Sequence, residues 1–132
     1  MLDAASLAPI RLVGLTGPAG SGKTTIARAL EARGFVRHPF AAPLKAMLRA
    51  FYESAGLTSE AIESRLGGAL KEGDDPILGG TSPRYAMQTL GTEWGRDMVD
   101  PDLWTRAWRI GARVRLAAGS GVVVDDLRFP NE

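Results

Sequence analysis

The sequence contains no cysteine, which excludes disulfide bonds, zinc–thiolate sites and thiol catalysis. It also lacks a large charge imbalance, because 16 basic and 15 acidic residues leave a net charge of +1. Such a balance provides no long-range field that would attract a polyanion, so nucleic-acid binding is not expected. No apolar run approaches the roughly 20 residues that span a bilayer. The first residues show no basic region followed by an apolar one, and we therefore expect a cytoplasmic protein.

The length and composition fit one compact domain. The chain has 132 residues, of which 45% are hydrophobic and 23% are charged, ordinary values for a globular protein. After a lead-in over residues 1–9, apolar runs predict short buried strands, and helical periodicity predicts helices between them. The strands are expected at 10–15, 35–38 and 122–124, and the helices at 24–33, 43–54, 58–71, 83 to about 91, and 103 to about 118. This order predicts an α/β domain with a parallel sheet.

Apolar spacing also predicts which side chains face the core. In the helix at 58–71 these are Ile62, Leu66 and Leu70, with Thr58 or Ser59 as the cap. The last helix is expected to bury the stripe Leu103, Ala107, Ile110, Val114 and Ala117 and to expose Arg106, Arg109 and Arg113. The glycine-rich loop at 73–82 is expected to be mobile. Trp104 and Trp108 are expected to pack in the core, and His38 is expected to be structural or exposed.

Residues 17–24 read Gly-Pro-Ala-Gly-Ser-Gly-Lys-Thr and satisfy the phosphate-loop pattern G-x-x-x-x-G-K-[ST]. A glycine-rich turn aims successive main-chain N–H groups at a polyphosphate, and the following helix adds its positive end. Lys23 is expected to reach the β- and γ-phosphates, and the Thr24 hydroxyl to bind Mg²⁺. The expected ATP-binding residues are Gly17, Ala19, Gly20, Ser21, Gly22, Lys23, Thr24 and Thr25.

A second acidic element follows the apolar run at 122–124, where Asp125 and Asp126 end the predicted strand. Carboxylates at the carboxyl end of a strand beside a phosphate loop hold Mg²⁺ directly or through water. Because neighbouring residues on a strand point in opposite directions, only one of the two is expected to face the metal. From spacing alone, both remain candidates.

The chain resembles bacteriophage-type deoxynucleoside monophosphate kinases in blocks that together span most of its length. The blocks are residues 15–25, the run F-A-A-P-L-K at 40–45, the run Q-T-L-G-T-E-W-G-R at 88–96, and the ending D-L-R-F-P-N-E at 126–132. The resemblance implies a three-layer P-loop kinase domain with a parallel sheet, occupying residues 1–132. Within it, residues 10–38 carry the phosphate loop, 43–119 form a helical acceptor-binding region, and 121–132 contain the acidic strand.

The resemblance further implies transfer of the ATP γ-phosphoryl group to a deoxynucleoside monophosphate, with ATP and Mg²⁺ required. It implies Lys23, Asp126 and Arg128 as catalytic residues and points to Asp126, with Thr24, as the metal ligand. The implied acceptor-binding residues are Lys45, Gln88, Trp94, Arg96 and Arg128. Bringing two phosphorylated nucleotides together concentrates negative charge, which arginine side chains offset in pairs of hydrogen bonds.

The sequence departs from this family at its end, because the kinases continue into a lid and further strands beyond the position of Glu132. We therefore expect a truncated form with one bare edge on the first strand, which favours self-association. The alternatives are a catalytically impaired nucleotide-binding fragment, or another small-molecule P-loop kinase such as one similar to dephospho-coenzyme A kinases. A DNA-acting ATPase is disfavoured by the balanced charge. Base preference and the choice between deoxy and ribo acceptors are left open.

Overall fold

The structure, a computed structural model, describes residues 10–128, 130 and 132. The lead-in expected for residues 1–9, and positions 129 and 131 of the last sequence block, lie outside the described residues. The chain divides into two compact units. One, here called the sheet unit, comprises the chain up to Phe40 together with the chain from Thr105 onward. The other, the helical unit, comprises Ala41–Trp104.

A three-stranded parallel sheet forms the centre of the sheet unit. Its strands are β1 (Leu12–Gly14), β2 (Phe35–Arg37) and β3 (Gly121–Val124), in the order β1-β3-β2. Val122 of β3 pairs with Leu12 on one side and with Val36 on the other. The last three residues of β3 are buried although successive side chains point to opposite faces, so both faces of the central strand are covered. The predicted parallel α/β arrangement is confirmed at this level.

Within residues 10–128, β1 pairs only with β3 and lies at an edge of the sheet, in agreement with the expected bare edge of the first strand. The expectation that the strand would be buried is wrong, because Ile10 is 77% exposed and Leu12 is 51% exposed. Alternate residues of a strand direct their main-chain N–H and C=O groups to opposite edges. The main chains of Arg11 and Leu15 bond to β3. The main-chain groups of Leu12 and Gly14 therefore point away from β3.

Two helices belong to the sheet unit, α1 (Lys23–Glu31) and α5 (Leu103–Ala117), the latter from Thr105 onward. α1 follows the turn after β1 and packs against β2 and β3, with Ala27 fully buried. α5 precedes β3 and ends in the turn at Gly119, which adopts a positive φ of 91°. The remainder of the region expected at 43–119 lies in the helical unit.

The prediction that the aliphatic stripe of α5 faces the core is wrong. Ile110 and Val114 are 59% and 64% exposed, whereas Trp104 and Ala112 are buried and Trp108 is half-buried. These three residues recur every fourth position, and two indoles bring more apolar area to one face than the aliphatic stripe brings to the other. As expected, the polar side of the helix is exposed; its arginines are Arg106, Arg109 and Arg113.

The helical unit contains α2 (Ala42–Ser54), α3 (Ser59–Leu66), a 3₁₀ turn (Pro76–Leu78), α4 (Pro83–Thr89) and a π-helical segment (Leu90–Val99). Its core is an apolar cluster from α2, α3 and α4. The cluster consists of Leu48, Tyr52, Ile62, Leu66 and Met87. The predicted core positions Ile62 and Leu66 are therefore confirmed.

The Thr58 cap is confirmed, because its hydroxyl accepts a hydrogen bond from the Ala61 N–H at 3.3 Å. However, α3 ends at Leu66, earlier than predicted, and Leu70 is exposed instead of buried. The two glycines that follow α3, Gly67 and Gly68, explain the early end, since glycine is the weakest helix former after proline.

Asp75 anchors the loop that was expected to be mobile. Its carboxylate is 3% exposed and accepts hydrogen bonds from the Tyr52 hydroxyl (2.7 Å), the Arg65 guanidinium (2.9 Å) and the Ile77 N–H (3.0 Å). Burial opposes the charge, but these donors outweigh burial and hold the pKa of Asp75 below its usual value of 3.8. Burial, and then the bond to Asp75, raise the pKa of Tyr52. The loop is thus fixed to α2 and α3 by one buried carboxylate.

No helix within the described part of the chain is both long enough and apolar enough to cross a membrane.

We predict that Asp75→Asn lowers the free energy of unfolding by about 3 kcal/mol at pH 7, because it leaves the Arg65 charge unpaired in a partly buried site. Urea denaturation measures this difference. The lowered pKa of Asp75 means that its stabilising charge is present above pH 3.8 and is lost as the pH falls through the folded-state pKa. The gap between wild type and variant should therefore narrow in acid.

The neighbouring exposed carboxylate provides the control, since Asp74→Asn should leave the urea midpoint unchanged. Equal effects of the two substitutions, or a gap that does not change with pH, would contradict the role of Asp75.

Candidate functional site

The turn between β1 and α1 contains the predicted phosphate loop and is built on glycines. Gly20 and Gly22 adopt positive φ values of 79° and 94°, which residues with a Cβ atom rarely adopt. α1 begins at Lys23, directly after Gly22, and its first turn contains no acidic residue. Glycine at the cap also leaves the first N–H groups of the helix without a capping side chain. The combination offers main-chain donors and the positive end of a helix to an anion.

Three polar side chains lie in the first turn of α1, next to this loop. The Lys23 ammonium donates a hydrogen bond to the Gly17 carbonyl oxygen, which folds the side chain over the loop. Thr24 and Thr25 are exposed at the start of α1, where their hydroxyls are accessible to a ligand. The predicted ATP-binding residues from Gly17 to Thr25 therefore lie in one continuous turn and the helix end that follows it.

The acidic segment leaves the sheet at the same edge as this loop. β1 and β3 run parallel, with Gly14 paired to Val124, and the Leu15 N–H continues the ladder to the Val124 carbonyl at 2.8 Å. Beyond the ladder, the Thr16 hydroxyl donates to the Leu127 carbonyl at 3.4 Å. The absence of a side chain at Gly14 permits this approach, because a Cβ atom there would lie 2.6 Å from Leu127 Cδ1. The carboxyl ends of two adjacent strands thus carry the phosphate loop and the aspartates.

The two neighbouring aspartates have different partners. The Phe40 N–H donates to Asp126 Oδ1 at 2.9 Å, which orients that carboxylate by a main-chain bond. Asp125 Oδ2 lies 3.6 Å from the Arg37 guanidinium, which also pairs with Glu31 at 2.8 Å. The two carboxylates therefore differ: Asp125 lies beside a guanidinium that it shares with Glu31, whereas a main-chain N–H contacts Asp126.

Arg128 lies on the same segment, two residues after Asp126. Its side chain is exposed, and its N–H donates to Glu132 Oε2 at 2.6 Å.

The predicted acceptor-binding residues lie in the helical unit, apart from Arg128. Lys45 is exposed on α2, and Gln88 is exposed on α4. Trp94 and Arg96 belong to the π-helical segment, where Trp94 is 40% exposed. Leu44 packs beside Gly91, where a Cβ atom would lie 3.3 Å from Leu44 Cδ1, so the start of α2 adjoins the start of the π-helical segment.

The π-helical conformation of Leu90–Val99 was not predicted from the sequence. The Asp100 N–H reaches back five residues to the Gly95 carbonyl at 3.0 Å, in place of the four-residue step of an α-helix. Wide turns of this kind are rare and occur frequently at functional sites. The segment contains most of the block at 88–96 that carries the family resemblance, so the local geometry and the motif coincide.

Trp104 packs against this segment and was expected only to fill the core. Its indole N–H donates to the Gly91 carbonyl at 2.8 Å, and its ring lies 6.2 Å from that of Trp94. A Cβ atom at Gly95 would lie 2.5 Å from Trp104 Cζ2, so only glycine leaves room for the indole. The four-residue spacing of Gly91 and Gly95 is the sequence feature that could have indicated this packing site for the indole.

The helical unit also contains an apolar groove of about 260 Å³. It is lined by Met47, Leu48, Phe51, Leu78 and Leu90. None of the predicted acceptor-binding residues lines it, and its side chains offer no donor to a phosphate.

The described residues contain no group of three or more histidine, aspartate or glutamate side chains that would hold a metal ion by themselves. Mg²⁺ does not require such a group, because it is commonly bound by one or two protein ligands together with substrate phosphates. Thr24 and Asp126 both bear oxygen atoms of the kind that Mg²⁺ prefers. Thr24 lies in the first turn of α1, after the loop that follows β1, and Asp126 follows β3.

We predict that Gly95→Ala lowers the free energy of unfolding by about 1–3 kcal/mol, because the new methyl group collides with the Trp104 indole. Thermal denaturation measures the loss, and tryptophan fluorescence reports displacement of the ring. Gly73→Ala is the matched control, since its nearest neighbour would lie 3.9 Å away. A Gly95→Ala protein as stable as wild type would contradict the packing described.

Comparison with known proteins adds no relative. No family model matches the chain, and no curated protein or solved structure is similar to it. The interpretation of the site consequently depends on its own residues and geometry.

Proposed function

We propose that the chain transfers the γ-phosphoryl group of ATP to a deoxynucleoside monophosphate in the cytoplasm. One observation carries the proposal: the phosphate loop and Asp126 leave the same edge of the sheet on adjacent parallel strands. The match of residues 88–96 to the acceptor block of the kinase family supports the monophosphate as the acceptor. The loop alone would support only nucleotide binding.

On the ATP side, the main-chain N–H groups of the loop bind the phosphate oxygens. The Lys23 ammonium exchanges its bond to the Gly17 carbonyl for contacts with the β- and γ-phosphates. Thr24 and Asp126 are the residues that would hold Mg²⁺, which supplies neutralisation of the phosphate charge when bound. Catalysis in this class is mainly alignment and charge stabilisation, so the protein needs no covalent intermediate.

On the acceptor side, a phosphate oxygen of the monophosphate attacks the γ-phosphorus, the bond to the bridging β,γ-oxygen breaks, and ADP departs. Lys45, Arg96 and Arg128 are the cations that we assign to the acceptor or the transferring group. Trp94 presents an exposed indole on which a base can stack, while Gln88 offers an amide for its edge.

We predict that purified protein forms ADP only when ATP, Mg²⁺ and a nucleoside monophosphate are all present. A panel of deoxy- and ribonucleoside monophosphates, followed by chromatography of the products, identifies the acceptor. Lys23→Ala should reduce the rate about 100-fold or more, because it removes a cation that stabilises the transition state. Lys71→Ala, which removes a lysine from outside the proposed site, should leave the rate unchanged.

Each other outcome has a defined meaning. Tight Mg·ATP binding without turnover would overturn the kinase assignment and leave a nucleotide-binding module. Turnover with dephospho-coenzyme A in place of a nucleoside monophosphate would contradict the proposed acceptor. Undetectable binding of Mg·ATP to the folded chain would contradict both the kinase and the nucleotide-binding module.

We further propose that copies of the chain associate through the outer edge of β1. The main-chain groups of Leu12 and Gly14 point away from β3, and the edge is flanked by the exposed apolar residue Ile10. An open, apolar strand edge is a template for pairing with another strand.

We predict that the mass measured by light scattering rises with protein concentration for wild type. Leu12→Lys should reduce this association, because a charge on the edge opposes pairing. Ile26→Lys introduces the same charge at an exposed apolar position on α1 and should leave the association unchanged. A monomer at all concentrations would contradict the proposal.

A further inference from the structure

The orientation of Asp126 depends on a short turn that follows β2. The Phe40 N–H donates to Asp126 Oδ1 at 2.9 Å, so a shift of this amide would move a donor that orients the carboxylate. The turn comprises His38, Pro39 and Phe40. Its first residue is attached to the sheet, because the His38 N–H donates to the Val123 carbonyl at 2.8 Å.

The far side of this turn is held by one side chain of α5. The Trp108 indole N–H donates to the His38 carbonyl at 2.6 Å, and His38 Nε2 returns a bond to the Trp108 carbonyl at 3.1 Å. A carbonyl oxygen only accepts, so His38 carries its proton on Nε2 in this bond. Burial lowers the pKa of His38, although the Trp108 carbonyl opposes this, and the neutral ring suffices for the contact.

Ring stacking fixes both ends of the turn on the same indole. The His38 and Phe40 rings lie 5.5 Å and 5.0 Å from the Trp108 ring, at interplanar angles of 22° and 21°. Both side chains are less than one-tenth exposed. Pro39 between them has a fixed φ, so the turn has little freedom once its two neighbours are held.

The histidine ring in turn requires a glycine on α5. A Cβ atom at Gly111 would lie 2.8 Å from His38 Nε2, so any larger residue would push the ring away. Trp108 and Gly111 are three positions apart and therefore lie on the same face of the helix. α5 thus provides both the support for the turn and the space for its first side chain.

We infer that Trp108 is a positioning residue for Mg·ATP binding: it sets the carboxylate of Asp126 by holding the turn whose last N–H binds that carboxylate. The inference rests on the proposed function in that Asp126 is assigned to the metal. Groups that orient a metal ligand affect affinity although they do not touch the metal. Trp108 acts here through the main chain, with no contact to the nucleotide assigned to it.

The test measures the ATP dissociation constant by calorimetry with Mg²⁺ and with a chelator, and takes the ratio of the two. Wild type should bind more tightly with Mg²⁺. Trp108→Phe keeps an aromatic ring but removes the N–H donor, and it should lower the ratio about 10-fold. In the magnesium-free protein, the Phe40 amide should exchange its hydrogen faster in this variant than in wild type.

Asp126→Asn shows whether the effect passes through the carboxylate. Adding Trp108→Phe to Asp126→Asn should change the ratio no further, because the group being positioned is already altered. Trp104→Phe is the matched control, because Trp104 also belongs to α5 and its indole N–H also donates to a main-chain carbonyl, that of Gly91. This variant should leave the ratio unchanged. Gly111→Ala displaces His38 and should lower the ratio in the same direction, which keeps the test decisive if Trp108→Phe does not fold.

A ratio in folded Trp108→Phe equal to that of wild type would overturn the inference, and so would an equal loss in the presence of Asp126→Asn. A wild-type ratio of one would overturn it as well. Failure of the proposed function is distinguishable from these results. Wild type that shows the magnesium-dependent ratio and its loss in Trp108→Phe, but transfers no phosphoryl group, would refute the kinase while supporting the positioning role.

Discussion

The parallel pairing of β1 with β3 is the constraint on which the candidate site depends. Its register, with Gly14 opposite Val124, brings the carboxyl ends of both strands to one edge of the sheet. The phosphate loop and Asp126 are more than one hundred residues apart along the chain, and no local interaction joins them. A slip of one residue would turn every side chain of a strand to the opposite face and would move Asp126 away from the edge facing the loop.

Both units use an indole N–H to fix a segment that contacts or bears candidate site residues. In the sheet unit, the Trp108 indole N–H donates to the His38 carbonyl; in the helical unit, the Trp104 indole N–H donates to that of Gly91. Gly95 leaves space for the Trp104 indole, and Gly111 leaves space for the His38 ring that stacks on Trp108. An indole combines a large apolar area with one directional donor, so it can fill a space and orient a main chain together. The tryptophans of α5 therefore fill space and orient a main chain in the same contact.

Two errors of sequence interpretation share one cause. An apolar pattern identifies residues that can be buried, but it does not tell which of them meet a partner. On α5 the regular stripe containing Ile110 and Val114 is exposed, because the indole face competes with it and is buried. For the first strand, an apolar run was interpreted as buried, yet Ile10 and Leu12 are exposed.

A different cause applies to the loop at 73–82, which was expected to be mobile from its composition. A single buried carboxylate, Asp75, anchors it through bonds to residues distant in the sequence.

The sequence by itself determined the features encoded by near neighbours: the glycine turn into α1, the Thr58 cap, and the burial of Ile62 and Leu66 on α3. It left the choice between Asp125 and Asp126 open, and only the family resemblance pointed to Asp126 and to residues 88–96. The tertiary structure decided what depends on distant residues. It paired Asp125 with Arg37 and Asp126 with the Phe40 amide, and it gave Leu90–Val99 a π-helical form. These outcomes depend on packing and main-chain bonds across the fold, whose energies no local pattern contains.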